Sequence, residues 1–254
     1  MAERFAGRVV FVTGAGSGIG RATAALFAAE GGRVFAVDVD GDGLMQTIDR
    51  LREAGGRVEG GVCDVADMAS VEAAVGNAVA TFGGLDVLAN VAGIGRFARF
   101  EEVDEAEFRR IVDVNLGGVF RTIKVALPHL LARCPGASIV NVGSTASLRG
   151  NAYAAPYSAS KGAVALLTRS LALEFASRDL RVNCVCPGGV KTPLGRFFLR
   201  REDFEAHLID YQAPPKSGHF ADPEDIAGII AFLASGAARM INGVTLLADG
   251  GTLA

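Results

Sequence analysis

The sequence predicts a doubly wound α/β fold, a single domain over residues 1–254 built on a seven-stranded parallel sheet with helices on both faces. Two observations carry this reading. Short apolar runs alternate with longer segments of helical period along nearly the whole chain, and no proline-rich or charged linker divides them. The runs are apolar throughout rather than alternating with polar residues, which marks strands covered on both faces by right-handed crossover helices.

The elements follow in order. RVVFVTG from Arg8 is the first strand, followed by a helix through Glu30; RVFAVD from Arg33 precedes a helix through Ala54. RVEGGV from Arg57 leads to a helix that Asp67 can cap and that runs to Phe82. LDVLANVAG from Leu85 precedes one long helical region from Asp104 to Arg133, and SIVNVGS from Ser138 precedes a helix from Ala155 to Ser177. RVNCVCPG from Arg181 is the sixth strand. An irregular segment at about 190–221 follows, then a helix opening at Asp222-Pro223 and the last strand, GVTLLADGG.

Composition narrows the function. A formal charge of −3 without a lysine or arginine block argues against nucleic acid or an anionic membrane as partner. MAERFAGRVVFVTG has no apolar secretory region, and no apolar run is long enough to span a bilayer, so a cytoplasmic protein is expected. Cys63, Cys134, Cys184 and Cys186 show no zinc spacing and read as small buried hydrophobes; His129, His207 and His219 lie far apart, and no metal site is expected.

TGAGSGIG, Thr13 to Gly20, lies between the first strand and the first helix. Gly14, Gly18 and Gly20, with Ser17 and Ile19 between them, let the backbone approach a pyrophosphate and aim the amides of the helix start at it. Asp38 closes the second strand eighteen residues after Gly20, where a carboxylate can accept hydrogen bonds from the adenosine ribose hydroxyls. It also repels a 2′-phosphate, so the expected cofactor is NAD rather than NADP. Arg21, the nearest base, is expected to face the surface or an acidic neighbour.

The GxxxGxG spacing resembles the TGxxxGxG turn of the short-chain dehydrogenase/reductase family, and other motifs extend the likeness from Val9 to Gly251. In YSASK, Tyr157 and Lys161 stand four residues apart, one above the other on a helix, where an ammonium favours the phenolate of a general base. Ser144 ends the fifth strand thirteen residues before Tyr157, the separation found in the family, and can hydrogen-bond a substrate oxygen. Ser147 and Tyr153 are its local competitors; Tyr153 reads as a pocket-wall residue. The resemblance implies a Rossmann-type fold, a fourth catalytic member at Asn115 whose backbone holds a water beside the lysine, and a strand-stabilising Asn90 in NVAG, where Val91 replaces the usual second asparagine. It also implies cofactor contacts from Asp64 and Val65 at the adenine and from Pro187, Gly188, Val190 and Thr192 at the nicotinamide. Asp249-Gly250-Gly251 matches the family's ending.

These residues predict an NAD-dependent oxidoreductase that interconverts a secondary alcohol and a ketone. Leu194, Phe197, Phe198 and Leu199 suggest an apolar lid within 190–221, and Arg96, Phe97 and Phe100 a second wall, hence a hydrophobic alicyclic or steroid-like substrate. The alternatives are an NADPH-dependent 3-oxoacyl reductase of the same family and a catalytically silent dinucleotide-binding protein. The resemblance further implies a homotetramer or dimer, and AVALLTRSLALEFA suits a helix–helix contact.

Overall fold

The computed structural model describes residues 3–196, 203–209 and 218–253. Every expected strand is present: β1 (Val9–Thr13), β2 (Arg33–Asp38), β3 (Arg57–Val62), β4 (Val87–Asn90), β5 (Ser138–Val142), β6 (Arg181–Pro187) and β7 (Thr245–Ala248). They form one parallel sheet in the order β3-β2-β1-β4-β5-β6-β7. The chain winds outward from β1 to β3, then returns to place β4 on the other side of β1. That reversal opens a crevice at the carboxyl ends of β1 and β4.

Strand alternation divides the core between the two faces. Val9, Phe11, Phe35, Leu88, Ile139 and Val182 pack against α3 (Met68–Phe82), α5 (Gly118–Leu131) and α6 (Ala155–Glu174). Val10, Val12, Val34, Ala36, Val140 and Val185 pack against α1 (Gly18–Ala29), α2 (Gly41–Glu53) and α8 (Pro223–Ala234). Because both faces are covered, all five residues of β1 and of β5 are buried, which is why these runs carry no polar alternation.

Local chemistry sets the helix starts. Asp67 accepts hydrogen bonds from the amides of Ala69 and Ser70 and so caps α3 where the sequence placed it. Asp222 and Asp225 form a reciprocal box at the start of α8, with Pro223 in the first turn. The expected helix from Asp104 to Arg133 is divided. It contains α4 (Glu105–Val112), a π-helical segment (Asp113–Gly117) and α5, with Asn115 in the π segment. A short α7 (Pro193–Arg196) follows β6.

Candidate active site

A cleft of about 500 Å³ follows the crevice from Asp38 and Asp64 at one end to Ser144 and Tyr157 at the other. Its floor is the β1–α1 turn. Gly14 adopts φ +71°, and a Cβ there would lie 2.9 Å from the backbone of Ala92. A Cβ on Gly20 would collide with the carbonyl of Gly14, so only glycine allows α1 to start this close to β1. Thr13 Oγ1 accepts the amides of Val91 (3.0 Å) and Ala92 (3.1 Å), fixing the opposite lip. Ser17 is the N-cap of α1, and its side chain makes no cap hydrogen bond, so the helix-start dipole faces the cleft.

Asp38 lines the cleft and receives the amide of Gly16 at 2.8 Å. A Cβ on Gly16 would stand 2.9 Å from that carboxylate, so this glycine, which the motif reading passed over, makes room for the acid. An anion-binding turn with a carboxylate beyond it suits a dinucleotide: pyrophosphate at the turn, ribose hydroxyls at Asp38. Among the described residues the half-buried Arg21 pairs with no acid, contrary to expectation. Its Nε donates to Thr47 Oγ1 (2.9 Å) and its Nη2 to the carbonyls of Gly16 and Gly43, so it braces the turn against α2.

At the far end, Tyr157 and Lys161 are 7% and 3% exposed, on the first two turns of α6. Lys161 Nζ donates to the Val142 carbonyl (2.8 Å) and lies 5.9 Å from the centroid of the Tyr157 ring. Burial lowers the Lys161 ammonium to about 8. Burial pushes the Tyr157 phenol up, and a hydrogen bond with Ser144 is what opposes it. In this geometry the Ser144 hydrogen bond is what favours the phenolate. Ser144 Oγ also accepts the amide of Ala146 (3.2 Å), which fixes its position. Ser147 is settled as a competitor: its Oγ is bonded to the main chain of Ser144 and Lys161 and does not line the cleft.

Asn115 is fully buried, and its amide clasps Ile94. The Ile94 N–H donates to Oδ1 (2.8 Å), while Nδ2 donates to the Ile94 carbonyl (2.9 Å) and to Ser160 Oγ (3.0 Å). The wider π turn presents this side chain inward, and Gly93 next to Ile94 leaves room for it and for Lys161 Nζ.

The other expected contacts divide. Gly14, Ser17, Gly18, Ile19 and Gly20 line the cleft, as do Asp64 and Val65, and Pro187, Gly188, Val190, Thr192 and Leu194. Asn90 does not. Its Nδ2 donates to Asn141 Oδ1 (2.9 Å) and its Oδ1 accepts Thr122 Oγ1 (2.7 Å), so it ties β4 to β5 and α5. Arg96 is drawn away by Glu107 (2.7 Å), and Phe100 is 75% exposed. Phe97 is buried in one cluster with Ala146, Ala154, Tyr157, Phe204 and Ile209, and Tyr153 stacks on Phe204 with centroids 4.0 Å apart. Tyr153 has φ +62°, a strained value for a side chain of this size. Phe197, Phe198 and Leu199 lie outside the described residues. Ile94, Val142, Gly143 and Arg110 line the cleft without having been singled out, because none of them holds a distinctive position in the motifs the sequence offered.

Residues 14–252 match a family model, adh_short_C2, described as Enoyl-(Acyl carrier protein) reductase. The chain belongs to the short-chain dehydrogenase/reductase family. It is 44% identical over 252 residues to a cis-4-hydroxycyclohexanecarboxylate dehydrogenase of Sinomonas cyclohexanicum, covering 99% of this chain and 98% of that one. It is 37% identical over 251 residues to a cyclohexanol dehydrogenase of Acinetobacter sp. (strain SE19), with 98% and 96% covered. Its structure superposes on that of a short chain dehydrogenase from Mycobacterium paratuberculosis bound to NAD with a TM-score of 0.93, at 30% identity and 98% coverage of both chains. The short-chain dehydrogenase/reductase assignment makes the protein an oxidoreductase and gives a frame for the Ser144–Tyr157–Lys161 cluster.

Proposed function

We propose that the protein is an NAD(H)-dependent dehydrogenase that oxidises a hydrophobic cyclic secondary alcohol, or reduces the matching ketone. The observation that carries this is the meeting of the Tyr157 phenol, the Ser144 hydroxyl and the Lys161 ammonium at one end of a dinucleotide-shaped cleft. When bound, the dinucleotide supplies the hydride acceptor or donor. Gly14, Ser17, Gly18, Ile19 and Gly20 would hold its pyrophosphate, Asp38 its adenosine ribose, and Asp64 and Val65 its adenine. Pro187, Gly188, Val190 and Thr192 would hold its nicotinamide end.

The remaining steps belong to the chain. Tyr157 takes the hydroxyl proton in oxidation and returns it in reduction, while Ser144 holds the substrate oxygen and stabilises negative charge on it. Lys161 lies close enough to Tyr157 to favour its phenolate once a substrate separates Tyr157 from Ser144, and a water held by the backbone of Asn115 beside Lys161 carries the proton outward. Phe97, Tyr153, Phe204 and Ile209 offer an apolar wall, which suits a ring without charge near its carbinol carbon. The named substrates of the two curated relatives are both cyclohexane-ring alcohols.

NAD is favoured over NADP because Asp38 is anionic and Arg21 is occupied by carbonyls. A panel of cyclic and open-chain alcohols and ketones, followed by NADH absorbance in both directions, tests the reading. Turnover is expected with cyclohexanols and NAD, and much less with NADP. Turnover confined to 3-oxoacyl thioesters with NADPH overturns it, and dinucleotide binding without any turnover leaves only a binding protein.

A further inference from the structure

Ser147 is a polar residue of the site that the chemistry above does not use. Its Oγ donates to the main-chain carbonyl of Lys161 (2.8 Å) and accepts the amide of Ser144 (3.2 Å). Lys161 is thus joined to a single turn, Val142 to Ser147, at both ends: its ammonium on Val142 and its carbonyl on Ser147. The turn itself is closed by the reciprocal box in which Ser144 Oγ accepts the amide of Ala146 and Ser147 Oγ that of Ser144. Gly143 makes the arrangement possible, because a Cβ there would stand 2.7 Å from Ser147 Oγ and 2.8 Å and 2.9 Å from the sulfurs of Cys186 and Cys184. Those sulfurs, 3.9 Å apart, support the turn from β6. The hydrogen bond between the two thiols raises Cys184 and lowers Cys186.

Ser144 and Lys161 lie on different elements, a loop after β5 and the second turn of α6. A shift of the loop against the helix moves the Ser144 hydroxyl relative to the Tyr157 phenol. We propose that Ser147 is a positioning residue that sets the register of the Ser144 turn on α6 and thereby the Ser144–Tyr157 hydrogen bond. The proposal rests on the assignment of Ser144, Tyr157 and Lys161 made above. Because that hydrogen bond opposes the rise that burial imposes on Tyr157, loosening it moves the phenol further up.

The test compares Ser147→Ala, Ser147→Thr and Tyr157→Phe with the unaltered enzyme, using the most active cyclic alcohol of the panel. Ser147→Ala is expected to lower kcat about tenfold to a hundredfold, as a small misplacement of a reacting group does, with the KM for NAD unchanged. The acid limb of its kcat/KM profile for the alcohol, which reports the enzyme before substrate enters, moves to higher pH, and ultraviolet titration of tyrosinate in the cofactor-free protein moves the same way, read against Tyr157→Phe as blank. Ser147→Thr keeps the hydroxyl and restores both readouts. If Ser147→Ala does not fold, Ser147→Cys, with weaker hydrogen bonds at the same place, carries the same expectation at smaller amplitude. A variant that melts earlier but keeps the profile and the tyrosinate titration overturns the proposal and leaves Ser147 a packing residue. Full turnover in Tyr157→Phe instead overturns the assignment of the site itself, whatever Ser147 does.

Discussion

Lys161 places a charge where the fold disfavours one. Its carbonyl-bound ammonium is held down to about 8 by burial, against an ordinary 10.5, so protonating it costs the folded state more than the unfolded chain. The stability linked to the neutral amine is complete above 10.5 and is lost as pH falls through about 8, which leaves roughly 3 kcal/mol acting against folding at neutral pH. Lys161→Met removes that charge and also leaves the Val142 carbonyl without its donor, at about 1–3 kcal/mol. The second effect does not change with pH. The variant's stability relative to the unaltered protein should therefore be highest below pH 8 and decline towards pH 10.5; a flat difference in denaturant unfolding would refute the burial argument. Tyr157→Phe should keep NAD affinity and lose about 10²–10⁴ in kcat, the usual worth of a placed general base, checked by fluorescence titration beside steady-state kinetics. At Asp38, replacement by Asn removes the repulsion of a 2′-phosphate but keeps an acceptor for Gly16. The ratio of kcat/KM for NAD over NADP should fall about tenfold or more, since hydrogen bonds to charged groups are the strong ones.

Elements show how much of this was written in the sequence. The β1–α1 turn was legible because its glycines answer to steric limits that the backbone alone imposes, and Gly20→Ala is the sharpest check. The added carbon meets the Gly14 carbonyl, so α1 must shift, with a loss of about 1–3 kcal/mol in stability and a larger loss of dinucleotide affinity, measured by thermal melting and NADH fluorescence. The central strands were legible because burial on both faces leaves a continuous apolar run. The π segment at Asp113–Gly117 was not, since one added residue in a turn hardly disturbs a helical pattern and its cause, the clasp of Asn115 on Ile94, joins residues twenty-one apart. Arg96 and Arg21 were misplaced for a similar reason: Glu107 and the carbonyls of Gly16 and Gly43 become their partners only once helices pack. The strained Tyr153 and its stack on Phe204 depend on a loop meeting another loop, which no local pattern records.

At the scale of the molecule, two arginines and two leucines sit at opposite ends of the same logic. Arg8 and Arg181 collect carbonyls at the end of α8, with Arg181 Nη1 on Leu233 at 2.7 Å, so cations meet the negative end of that helix and hold it to the sheet. Leu166 and Leu173 are instead exposed among the described residues. They stand seven residues apart on one face of α6 and are 63% and 81% exposed, while Phe120 on α5 is 51% exposed. The same helix carries Tyr157 and Lys161 on its buried face, so whatever covers the outer face also stiffens the catalytic one. The homo-oligomer that the sequence resemblance implies would place a second copy of the chain on this face. Paired substitution Leu166→Glu and Leu173→Glu places like charges across such a two-fold contact. Sedimentation should then show a species of half the mass or less, with kcat reduced as α6 loosens. An unaltered mass would assign these leucines to solvent and confine the stiffness of α6 to Ser160, Ser147 and the sheet beneath it.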